Sequence, residues 1–209
     1  MKRNIDICSD LITPRVALSL IPAFKSAYGM AAYTADTIDF LGGELKEQIL
    51  PHLKNWAVEY ELHRRCAEGI IPFDSSFALN SRKNHRHLEL RRDGFVLTVS
   101  QTPHIHSMPR ECIFRNDHNL DGQLIMEGCG LDDLEGNGDV YAILTHGQGS
   151  ATPGFVLCGI PNVNMTYWSQ HVNLLSAVRD IAIVDESPVN DDIQLDFRDV
   201  AKSRIKEAQ

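Results

Sequence analysis

His85, His87, Glu89 and Arg91 occupy every second position of one short segment. If that segment is a strand, all four side chains point to one face. Two imidazoles, a carboxylate and a guanidinium are groups suited to cleaving a phosphodiester without a metal. A carboxylate or imidazole takes the proton of the attacking hydroxyl, a second imidazole protonates the leaving oxygen, and a guanidinium offsets the charge that builds up. On this reading Glu89 or His87 is the base, His85, His104 or His106 is the acid, and Arg91 stabilises the transition state. Arg82, Lys83, Arg86 and Arg92 are then placed to hold a nucleic-acid backbone. The alternative is a solvated strand face, since the outer face of an antiparallel sheet is ordinarily polar.

Such a row needs a hairpin to hold it. Asp93-Gly94 lies between His87–Arg91 and Phe95–Ser100, which is the signal for a two-residue turn with positive φ. Pairing outward from that turn sets Arg92 against Phe95, Arg91 against Val96, Leu90 against Leu97, Glu89 against Thr98 and Leu88 against Val99. Every apolar residue except Val96 then falls on one face, and Thr98 and Ser100 face the His/Glu row. Small microbial ribonucleases place a Glu, an Arg and His on an antiparallel sheet face in the same manner, a likeness of chemistry alone.

Metal chemistry is a second possibility at this place. His104 and His106, after the turn at Thr102-Pro103, can swing over the same face. With His85, His87 and Glu89 they make a plausible zinc or manganese set, imidazole and carboxylate being suitable ligands. Asp74 followed by Glu89-x-Arg91 also resembles the carboxylate arrangement of PD-(D/E)XK metal-dependent nucleases, in which two acids hold the metal and a Lys assists the attacking water. Arg stands where that pattern has Lys, and an Arg does not give up its proton to act as a base. The expectation is therefore a centre that needs no cofactor, with a divalent metal as the alternative.

The 209 residues, 43% of them hydrophobic, suffice for a core. They suit a helical segment over 1–70 joined to a β-rich part over 71–209. No apolar run reaches the roughly 18 residues that span a membrane, and MKRNIDICSDLITPR is not followed by a leader-type apolar stretch. The expected location is the cytoplasm. Cys8, Cys66, Cys112, Cys129 and Cys158 contain no C-x-x-C pair and leave one over, which predicts free thiols. Net charge is −8 but uneven. Residues 63–115 hold 9 basic and 5 acidic side chains, whereas 116–209 hold 5 and 15. The basic middle suits a phosphate-bearing ligand, or else it docks on the acidic third of this chain or of a partner.

Along the chain, Val16, Leu20, Phe24 and Ala27 recur at helical spacing after Pro14. A second helical pattern covers 44–68, with Pro51 expected to kink or divide it, Trp56 and Tyr60 on its packed face, and Gly69 as its stop. Phe77 and Leu79 precede the hairpin. Ile113-Phe114-Arg115 reads as a strand ended by Asn116 to Asn119, Leu124–Met126 as another, and 128–138 as an acidic loop. Asp139–Thr145 and Gly154–Ile160 read as strands joined by a flexible loop that contains His146. Trp168, Val172, Leu175 and Val178 have helical spacing. Ile181–Val184 and Ile193–Phe197 read as strands and Val200–Gln209 as a charged terminal helix or a frayed tail. Helices followed by hairpins predict an α+β fold, N-terminal helices packed on a mainly antiparallel sheet. The functional expectation is a phosphodiester-directed, nuclease-like protein, RNA before DNA, of the kind a toxin or phage-defence system would use. The alternative is a non-enzymatic interaction or oligomeric adaptor module, with a protein partner or a second copy of itself.

Overall fold

Thr13 closes the first turn of the long N-terminal helix, its hydroxyl accepting from the Val16 amide, and Pro14 supplies a pre-set φ at the first helical position. The computed structural model describes residues 7–39, 44–80, 82–119, 139–149 and 151–178. A short α1 (Ile7–Leu11) leads into α2 (Pro14–Thr37), and α3 (Glu44–Ala67) follows. Pro51 lies inside α3 without dividing it. Gly69, at φ +71°, ends α3: its amide donates to the Cys66 carbonyl and that of Ile70 to the Arg65 carbonyl. These two bonds satisfy the carbonyls that a helix end leaves open.

Six strands then form one sheet in chain order: β1 (Asp74–Leu79), β2 (Arg86–Arg92), β3 (Phe95–Gln101), β4 (Val140–Gly147), β5 (Phe155–Pro161) and β6 (Trp168–Asn173). All neighbours are antiparallel except β3 and β4. The fold is α+β, as the sequence predicts. The hairpin register is the expected one from Arg92↔Phe95 to Glu89↔Thr98, and Asp93 and Gly94 both have positive φ.

Leu88, Leu90, Leu97 and Val99 share one buried cluster with Ala142, Leu144, Val156 and Cys158, covered by Leu20, Phe24, Val58 and Leu62 of α2 and α3. The three N-terminal helices thus lie on one face of the sheet. Trp56 and Tyr60, expected in the packed stripe, instead stand 58% and 51% exposed, because Val58 and Leu62 already fill the contact.

Three expectations are corrected. Residues 113–119 are helical (α4), not a strand with a turn after it. Parallel neighbours cannot be joined by a hairpin, so the link from β3 to β4 must cross over, and such links are usually helical. Trp168–Asn173 is the edge strand β6 rather than a helix, and only 174–178 (α5) are helical. Its backbone pairs with β5, and Trp168 packs where Gly159 has no side chain; a Cβ there would sit 2.4 Å from the indole. His146 belongs to β4 and not to a flexible loop. The expected elements at 124–126, 128–138, 181–184, 193–197 and 200–209 lie outside the described residues. Among the described residues Cys8, Cys66, Cys112 and Cys158 are free thiols, and no helix is long and apolar enough to cross a membrane.

His146 is fully buried, with Nδ1 2.9 Å from the Tyr28 hydroxyl and its ring against Phe24. Burial, aided by the Lys54 charge, lowers its pKa to about 3. Unfolding frees it to take up a proton below its ordinary value of 6.5. Its contribution is complete above that value and is lost as pH falls toward about 3, at roughly 1.4 kcal/mol per pH unit. Chemical denaturation at pH 7 and pH 5 should therefore show a fall of about 2 kcal/mol from this group in the wild type. In a folded His146→Gln variant the fall should be much smaller, and an equal fall would exclude His146 as the cause.

Candidate functional site

The crossover brings α4 onto the sheet face opposite α1–α3. Phe114 and His118 are four residues apart and so share one side of that helix. Phe114 stacks on His87, ring centroids 3.8 Å apart and planes 16° apart, and His118 lies over Tyr141 at 5.4 Å. The Tyr141 hydroxyl is 2.7 Å from that of Thr98, which is opposite Glu89 in the hairpin register. The middle of the polar row of β2, His87 and Glu89, is therefore covered rather than open to water. His87 and Glu89 are buried, whereas at side-chain level His118 is 22% and Arg91 46% exposed.

Glu89 is the hub. Its Oε1 accepts from His87 Nε2 at 3.2 Å and from His118 Nε2 at 3.0 Å. Its Oε2 accepts from Arg91 Nε at 3.2 Å and from the terminal guanidinium nitrogen Nη2 at 2.9 Å. The other arm of Arg91 pairs with Asp139 at the entrance to β4. The His118 and His87 hydrogen bonds, against burial and with help from Arg91, hold the Glu89 carboxyl well below the usual carboxylate range. Burial raises the Tyr141 hydroxyl, so it stays protonated. Arg115 of α4 sits over the Phe114 ring and donates to the Arg110 carbonyl. His87 Nδ1 and Arg115 Nε are buried with no hydrogen-bond partner among the described residues.

Of the residues singled out from sequence, His87, Glu89 and Arg91 meet. His85 precedes β2, is exposed, and lies in the turn held by the Asn80 side chain. His104 reaches Gln148, and the His106 ring meets His171 of β6, four strands from β2, on the order of 19 Å across the sheet. Neither joins the Glu89 cluster. Asp74 stands opposite Arg91 in the register, but the group whose ligand atoms converge is His87, Glu89 and His118. Arg82, Lys83 and Arg86 are exposed near the β1–β2 turn, and no ion pair among the described residues takes them, while Arg92 is at the far end of β2, paired with Asp93. Arg64 and Arg65, part of the basic middle, are taken by Glu61.

Sequence reasoning missed His118, Asp139 and Tyr141. The signal for His118 was its spacing from Phe114, which is helical; Asp139 and Tyr141 depend on the parallel pairing of β4, which leaves no local trace. Compared with known protein families, curated proteins and solved structures, the chain matches none.

Proposed function

We propose that this protein is a phosphodiester-directed hydrolase, acting on RNA before DNA, with its centre at Glu89. The observation that supports this is the convergence of two imidazoles and a guanidinium on one carboxylate, with His118 and Arg91 forming the solvent-facing rim. Hydrolysis forms a bond from a water oxygen to phosphorus and breaks the ester P–O bond. One proton leaves the water and one reaches the departing oxygen, so no redox partner is needed.

Glu89 has both oxygens occupied by donors and acts as a fixed acceptor that orients His87 and His118. Arg91 faces the anion at the rim, where a charged donor is suited to a phosphate. Arg86 alternates with His87 and so points to the opposite face, but Arg82 and Lys83 lie in the turn beyond the strand end, about 10 Å or more from Glu89 at strand rise. That spacing favours a polymer over a single nucleotide. A role in a toxin or phage-defence system suits this reading.

The second reading, an interaction module, has its own support. Met30, Leu53, Trp56 and Tyr60 line an apolar hollow of about 230 Å³ between α2 and α3. Incubation of the full chain with labelled RNA and DNA, with and without a chelator, separates the two. RNA shortened faster than DNA supports the hydrolase; both substrates intact, with a dimer mass by light scattering, favours the module.

A further inference from the structure

We propose that His87, Glu89 and His118 bind one divalent transition-metal ion, zinc by preference, through His87 Nε2, Glu89 Oε1 and His118 Nε2. The proposal rests on the reading that the Glu89 centre is the working site, and it names the ion that site would hold.

The donor geometry carries it. Zinc lies ~2.0–2.2 Å from imidazole nitrogen and carboxylate oxygen, so neighbouring donors of a tetrahedral site are roughly 3.3 Å apart. Here Glu89 Oε1 is 3.2 Å and 3.0 Å from the two imidazole nitrogens, and all three ligand atoms lie within 4.8 Å of one another. The carboxylate oxygen is thus at coordination spacing from both imidazole nitrogens, and the two nitrogens lie within 4.8 Å of each other. Two imidazoles and one carboxylate suit zinc, and three protein ligands leave a fourth position open, as in catalytic rather than closed structural sites.

The scaffold fits that use. His87 and Glu89 are two apart on β2, so the strand fixes their separation, and α4 delivers the third ligand from the crossover. Phe114 and Tyr141 hold the two rings in place by stacking. Charge also permits it. Arg91 pairs with both Glu89 and Asp139, so the three together carry a formal net charge of −1 that a cation would offset. When bound, the ion would supply an activated water at the open position. Arg91, beside Glu89 Oε2, would remain at the rim to meet the phosphate.

The full chain is stripped with chelator, dialysed and titrated with zinc by calorimetry, and the cobalt-substituted protein is read by its visible absorption. One ion per chain, with a tetrahedral cobalt spectrum, is expected. His118→Ala should weaken zinc by more than the ~10- to 100-fold that losing an outer-shell partner costs, while His118→Cys, which restores a ligand, should recover binding. His118 is the partly exposed member, so these variants should stay folded, as circular dichroism can verify. Absence of stoichiometric zinc in the folded wild type, or equal binding by wild type and His118→Ala, would overturn the proposal. Zinc bound with RNA left intact supports the site and removes the phosphodiester reading. RNA cleaved equally in chelator by zinc-free protein supports that reading and removes the metal.

Discussion

Leu90→Asp is expected to abolish cooperative folding. Leu90 is fully buried on the central hairpin, in the cluster that α2 and α3 cover. An aspartate there has no cation or hydrogen-bond donor provided for it, and an unpaired buried charge costs several kcal/mol against a total stability of about 5–15 kcal/mol. The other face of the strand offers no escape, because a strand cannot turn one residue over without moving every neighbour. Thermal melting followed by circular dichroism should show no transition. Leu18→Asp, at a position 50% exposed on α2, should melt close to the wild type. A Leu90→Asp protein with an unchanged melting temperature would remove the assignment of this face to the core.

Glu89→Ala is the second large effect. Its side chain is 8% exposed and is the shared acceptor for His87, His118 and Arg91. Removing it leaves donors facing each other across a buried gap, and each buried donor left without an acceptor costs about 1–3 kcal/mol. Most of that cost lies with the two imidazoles, since Arg91 is 46% exposed and retains Asp139. For a chain of this size the melting temperature should fall by on the order of 10 °C. Glu89→Gln keeps the volume and one acceptor oxygen, so it should fall less. An Ala variant within about 2 °C of the wild type would mean that the network contributes little to holding α4 on the sheet.

The hairpin was legible because its information is local. Asp93-Gly94 sets the turn, the turn sets the register, and the alternation of Leu88 and Leu90 with His87 and Glu89 says which face is buried against helices. The same alternation misled at the next step. A polar row reads as a solvent face, yet here α4 covers its middle, His87 and Glu89, because the parallel pairing of β3 with β4 requires a crossover and the crossover runs over that side. Residues 113–115 are too few to distinguish strand from helix by period. His118 therefore reads as part of a turn, and its partnership with Glu89 leaves no local trace. His104 and His106 are near the row in sequence, whereas the sheet carries His104 to Gln148 and His106 to His171 of β6. Trp168 to Val178 has true helical spacing, and edge pairing with β5 overrides it up to Asn173.

Whether the Glu89 centre performs chemistry or only clamps the crossover is decided most directly by RNA hydrolysis rates for wild type and His118→Ala at equal folded concentration. His118 is the best member to remove, because it stands at the solvent rim and its loss should leave a cooperative melt. The wild type should cleave RNA, and His118→Ala should be slower by about 10²-fold or more, the range for a group that takes part in the reaction. A folded variant within about tenfold of the wild-type rate, or intact RNA with both proteins, would contradict a hydrolytic role and leave the cluster as the clamp that holds α4 to the sheet.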